Sequence, residues 1–346
     1  MGERGAGVVM EGRLLRLWGL AGAVVGVCAA MGTLWASPAL AQAPVANQPP
    51  IDSAWTRYPQ ASKVRIRESA AIVFVAPQQR RDVAAVVVNH GPLPTPTLRA
   101  RGDRLDIDGG LRRRIRECHG DGGASVEGFG RLRADQLPVI YVRTPADVDL
   151  GVGGALSVYS APAISMQIAV AGCSKAFLGP TVEALDASVA GSGAITAGPA
   201  AAADVSIAGS GSAHVGSVSG ALDVSIAGSG DVSVVAVEGP VRVAIQGGGD
   251  VTIGSGEAST MRLAIAGSGD VRFGGVVGDL SAAVAGSGIV RVASVSGNVE
   301  SRVAGSGSVQ TDYRAPPPVP PVPPAAPVPP AAPVAPAVPA SLGRPG

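Results

Sequence analysis

Asp231, Asp250 and Asp270 recur at intervals of 19 and 20 residues, each directly behind a glycine. Carboxylates stacked in this way could hold a calcium ion. Turn aspartates more often accept hydrogen bonds from backbone amides close by, and that is the reading preferred here. Glu238 and Glu257 repeat at the same interval and are the best acid pair for cleaving a glycosidic bond. Serines recur as well, at Ser192, Ser210, Ser229, Ser268, Ser287 and Ser306, each between two glycines. A nucleophile elbow would need a strand-to-helix turn and a histidine partner. His90, His119 and His214 do not recur with these serines, which are therefore read as corner residues. The expectation is a chain without catalytic residues, cofactor or metal, the aspartate row being its one weak metal candidate.

Cys118 and Cys173 remain once Cys28 is assigned to an export signal. An even pair in an exported chain is expected to form a disulfide. His119 beside Cys118 suggests a thiol nucleophile only if adjacency in sequence meant adjacency in space, which it does not.

These residues recur because the segment that carries them repeats. Short Gly/Ser or Gly-rich turns begin at positions 153, 171, 190, 208, 227, 246, 266, 285 and 304, separated by 18 to 20 residues. Between the turns apolar residues alternate, as in Leu222, Val224 and Ile226 before a turn and Val232 and Val234 after it. The next copies offer Val241, Val243, Ile245, Val251 and Ile253, then Met261, Leu263, Ile265, Val271 and Phe273. Period two means strand, and a strand pair this small cannot bury its apolar face alone. Stacked copies bury it in continuous ladders. The fold class is all-β: a parallel β-helix of about nine coils of about 19 residues, roughly 40 Å long at ~4.8 Å per coil. The composition agrees, with 49 glycines and 11 aromatic residues in 346, because a narrow coil has room for Val, Ile and Ala and little else.

The phrase Ile-Ala-Gly-Ser-Gly-Asp-Val at Ile226–Val232 and Ile265–Val271 resembles the head GIN domain family, whose members are described as putative auto-transporter adhesins. The resemblance covers roughly Val148 to Asp312, with opening strands between Ala84 and Asp108. It implies a bacterial exported β-helix with an adhesive role and brings no catalytic residues. One departure is that nothing after the repeats reads as a membrane β-barrel.

The flanks differ in kind. Arg4, Arg13 and Arg16 precede an uncharged apolar run and A-x-A sites at 39–43, so residues 1–41 are expected to be a cleaved signal peptide, an uncleaved anchor being the alternative. Residues 42–83 read as a linker and irregular segment, and 84–147 as a basic, β-rich cap with short strands near Ala84–Val88, Leu105–Ile107 and Val139–Tyr141. From Gln42 to Asp135 there are 15 basic and 10 acidic residues, against 9 and 14 afterwards. The run Arg112, Arg113, Arg114 and Arg116 could meet an anionic polysaccharide, though a solvated surface capping the first coil is the preferred reading. The β-helix is placed at 148–313. Residues 314–346 are almost wholly Pro, Ala and Val, which favours an extended polyproline spacer or a ligand for a proline-reading partner.

The function expected is an exported, non-catalytic envelope protein of the periplasm or cell surface. It would act as an adhesin or binding scaffold toward an envelope or surface component, with no role for nucleic acid. The rivals are a polysaccharide-active β-helix enzyme and a purely structural periplasmic protein.

Overall fold

The computed structural model describes residues 54–311, so the expected signal peptide and proline-rich tail lie outside the described residues. Within that range the alternation turns directly into burial. Leu222, Val224, Ile226, Val232 and Val234 are all buried, as are their counterparts in the next two copies through Phe273. Successive copies pair in parallel register, Leu222 beside Val241, Val241 beside Met261, and Met261 beside Leu280. Each inward row is therefore a column of Val, Ile and Leu running the length of the stack, and one contiguous core holds them.

A coil consists of a first strand, a glycine corner, a second strand and a second corner. At the glycine corner the backbone enters a region closed to most side chains. Gly209 has φ +124°, and a Cβ there would stand 2.6 Å from the carbonyl oxygen of Gly191 in the coil below. Glycine is required twice over, by the dihedral and by the close approach of stacked backbones. The corner is also knit to its neighbour, since Ser210 N donates to Gly191 O at 2.9 Å and Ser229 N to Gly209 O at 2.9 Å. The repeat thus folds as a solenoid of about nine turns spaced by about 19 residues.

At the N-terminal end chain order and spatial order part company. β1 (Thr56–Tyr58), β2 (Lys63–Gln78), β3 (Val83–Val88), β4 (Thr97–Arg101) and β5 (Arg104–Asp108) come first. β6 (Ile115–Cys118), β7 (Ala124–Val126) and β8 (Gly130–Leu132) follow, then β9 (Val139–Pro145) and β10 (Asp147–Ser160). β2 is a whole coil. It pairs in parallel with β10 on one side and with β5 and β9 on the other. Although β9 runs almost directly into β10, β2 lies between them. The chain lays down β2, returns through β3 and β4 antiparallel to β9 and β5, completes the outer layer, and then crosses β2 to begin the regular stack.

The expected linker at 42–83 therefore does not hold over Thr56–Gln78, and the coils begin before position 148. The cause is visible in β2. Val64 and Ile66 alternate, but Ala70–Val73 is buried on both faces because other segments cover its outside. Its corner also lacks the glycine phrase: Glu68 stands there with φ +50°. In β9 the strand is found where expected, with Ile140 and Val142 facing the core and Tyr141 on the opposite face.

β6, β7 and β8 form a small antiparallel sheet laid on the outside of the first coils. Its own core joins Leu111, Ala124, Val126 and Leu132 to Ala70 and Ala155 of the solenoid. The disulfide Cys118–Cys173 fixes the sheet to a coil corner, with Cα atoms 6.2 Å apart.

Candidate binding surface

Stacking in register means that every outward residue type is repeated along a row, and the rows are what the molecule offers a partner. The outward row of Asp231, Asp250 and Asp270 spends its carboxylates on the solenoid's own backbone. Asp250 N donates to Asp231 Oδ1 at 3.3 Å, Asp270 N to Asp250 Oδ1 at 2.8 Å, and Ile289 N to Asp270 Oδ1 at 3.0 Å. Arg272 and Arg291 then pair with the second oxygen of Asp270 at 2.9 and 3.4 Å. Each aspartate caps the open amide of the next coil, which is the turn role that its position behind a glycine favours. No group of His, Cys, Asp or Glu among the described residues is arranged to hold a metal.

Glu238 and Glu257 are in register on neighbouring coils, both exposed, beside Ser259 and Val276 in an open hollow. The corner serines form an exposed line, with Ser192, Ser210 and Ser229 on successive coils. His119 Nε2 meets Ser125 Oγ at 2.8 Å in the outer sheet, and Cys118 is oxidised to Cys173.

Two rows escaped the reading of the sequence. Asp186, Asp204 and Asp223 are stacked in register on the first strand. The ends of this row are compensated, Asp223 by Arg242 Nη1 at 2.9 Å and Asp186 by Gln167 Nε2 at 3.3 Å. Asp204 in the middle is not, and desolvation, then the charges of Asp186 and Asp223, push its carboxyl above the usual range. The same 18–19-residue interval could have shown this row, but its members lie in mid-strand, away from the glycine phrase.

The second row is aromatic. Tyr141, Phe74, Tyr159 and Phe177 lie in register on one outer face. Neighbouring ring centroids are 5.4, 5.5 and 5.2 Å apart and the planes are within 22° of parallel. A sugar platform needs a free ring face, whereas these rings spend their faces on one another. Burial accordingly raises the phenol pKa values of Tyr141 and Tyr159. Phe74 was invisible as a member because β2 precedes its spatial neighbours by a long excursion of the chain.

The arginine run is dispersed by its surroundings. Arg112 reaches Glu68 at 3.7 Å and Arg116 pairs with Glu127. Arg114 donates to the Glu127 carbonyl and lies 5.1 Å from the centroid of the Phe129 ring. Between these features lies a plain face of small residues: Ser188, Ser206 and Ser225 in one row, Ala190, Ala208 and Ala227 in the next. Over the last coils Ala244, Ala264, Ala283 and Arg302 line an open groove of about 390 Å³.

No curated protein matches the chain. A crystal structure of a putative adhesin from Parabacteroides distasonis is similar at 16% identity, covering 74% of this chain and 95% of that one, with a TM-score of 0.36. A putative adhesin from Parabacteroides merdae gives 13% identity over the same shares and a TM-score of 0.38. A structure described as a putative lipid binding protein from Parabacteroides distasonis gives 13% identity, again over 74% and 95%, and a TM-score of 0.35. The family model begins in the outer sheet and ends on the second strand of a regular coil, beyond which the same register continues. Residues 113–237 match the model of the family described as putative auto-transporter adhesin, head GIN domain, in a span that includes the Ile-Ala-Gly-Ser-Gly-Asp-Val phrase at Ile226–Val232.

Proposed function

We propose that this is an exported, non-catalytic envelope protein that uses its solenoid as a binding scaffold, adhering through broad repetitive faces. The observation that carries the reading is the plain outer face, where Ser188, Ser206, Ser225 and their alanine neighbours repeat in register. Such a face suits a partner that is itself extended and repetitive, since each coil adds a weak contact and the sum becomes avidity. The head GIN match supports an adhesive role. The turn aspartates are engaged with backbone amides and arginines and the stacked aromatic rings with one another, which favours binding over cleavage; the exposed pair Glu238 and Glu257 is what an enzyme would have to use. An anionic polysaccharide is the first partner to test, because the N-terminal part of the chain has the basic excess.

Protease shaving of intact cells, with a periplasmic protein as control, tests the placement. Digestion of this chain while the control survives is the expected result. Protection until the outer layer is opened would remove the adhesive reading and leave a periplasmic scaffold. Adhesion of cells lacking the protein to immobilised polysaccharide then tests the activity, with loss of attachment expected.

A further inference from the structure

The two ends of the solenoid are finished differently. At the N-terminal end β3 and β4 close the stack with antiparallel strands. At the other end the last coil, Val299–Gly305 and Ser308–Thr311, pairs only with the coil before it. Val299 continues the column of Met261 and Leu280, and Val303 that of Ile265 and Val284. Leu280 and Val284 are buried, yet Val299 is 51% and Val303 44% exposed. The core simply stops, leaving apolar side chains and a strand edge without a partner among the described residues. Such an edge templates further pairing unless it is blocked.

The order of residues along that edge shows what fits it. The strand reads Val299-Glu300-Ser301-Arg302-Val303, which is self-complementary about Ser301. Set antiparallel to an identical strand, Ser301 faces Ser301, Glu300 faces Arg302, and Val299 faces Val303. Both charges find the opposite sign, and both valines extend the core across the junction. Glu300 and Arg302 already pair at 2.7 Å within one chain, so each carboxylate would sit between two guanidinium groups. The chain's own continuation is a poorer match. Of its residues 316–346, 14 are prolines, which lack the amide hydrogen an edge carbonyl needs, so that segment answers the edge only in part.

We propose that two copies of this chain join end to end through their last coils, by antiparallel pairing of Val299–Val303 across a two-fold axis at Ser301. The contact is isologous, so each last coil is used up by a single partner and the assembly stops at a dimer instead of growing into a filament.

Sedimentation velocity of the full chain across a concentration series tests this. A concentration-dependent dimer is expected. Arg302→Glu, which sets like charges opposite each other twice, should raise the dissociation constant at least about ten-fold. The exchange Glu300→Arg with Arg302→Glu keeps the edge self-complementary and should restore association. Ser301→Cys should give a disulfide-linked dimer on mild oxidation. A chain that stays monomeric overturns the proposal. If its edge amides are nonetheless protected from hydrogen exchange, its own tail is the occupant. A dimer indifferent to Arg302→Glu and not linked through Ser301→Cys is built on another surface and overturns it equally.

Discussion

Two single residues show where the repeat departs from its own rules. Glu68 occupies a glycine corner with φ +50°, a region that costs a side-chain-bearing residue roughly 1–2 kcal/mol. Glu68→Gly should therefore stabilise the fold by about 0.5–1 kcal/mol after the entropy that glycine loses on folding, read as a higher denaturant midpoint. The loss of its exposed contact with Arg112 offsets little of this. Asp204 departs electrostatically, flanked by two like charges with its carboxyl titrating above the usual range. The folded state then binds its proton more tightly than the unfolded chain does, so this site destabilises above its folded pKa and is relieved as pH falls through it. Asp204→Asn should raise the melting temperature at neutral pH and leave it unchanged at a pH low enough to protonate the wild type. Asp82 has the opposite sign. Burial opposes its charge, but hydrogen bonds and charge from Arg57 and Arg80 prevail and hold its carboxyl below the usual range. Its contribution is present above about pH 4 and is lost as pH falls through the lowered value.

A coil is stable only through its neighbours, so damage to one element is felt in the next. Gly209→Ala forces a Cβ to 2.6 Å from the Gly191 carbonyl and also strains φ, and neither stacked backbone can retreat without losing register. A loss of about 2–3 kcal/mol is expected, in the range of strained left-handed residues, measurable by urea unfolding. Phe273 is the one aromatic residue on the regular inward rows and is fully buried. Phe273→Ala would leave a cavity that Ile253 and Val292 on either side cannot fill, costing about 3–5 kcal/mol. The outer sheet depends on a different device. Its core is small, and the disulfide closes a separation of 55 residues. Reduction should free β6 to β8 to proteolysis, near Gly120–Gly130, while the coils beyond Gly191 stay resistant.

For the molecule as a whole, the largest consequence lies in β2. Because this strand fills the layer between β9 and β10, the regular stack does not begin where its repeats become legible. A chain starting at residue 84 would lose β1 and β2 and leave β10 with an empty neighbour, exposing the row of Leu150 and Val152. Such a truncation is expected to unfold at least through β10 and to bind a hydrophobic dye. A chain in which 54–83 were only a linker would show neither effect.

The sequence alone determined the solenoid from about Val148 onward, because a tight period and strict alternation leave stacking as the one way to bury Val, Ile and Leu. It likewise determined the disulfide pair and the corner role of the serines. Only the tertiary structure decided what the repeats do not encode. β2 joins the stack ahead of its place in the chain, and its periodicity is hidden where the excursion between β2 and β9 covers its outer side. The partners of the aspartates also had to be seen, since a carboxylate behind a glycine suits a metal or an amide until the next coil is placed above it. That the last coil has no partner among the described residues depends on the same fact. A residue's pattern names the face it occupies, but whether anything covers that face depends on where the chain stops stacking.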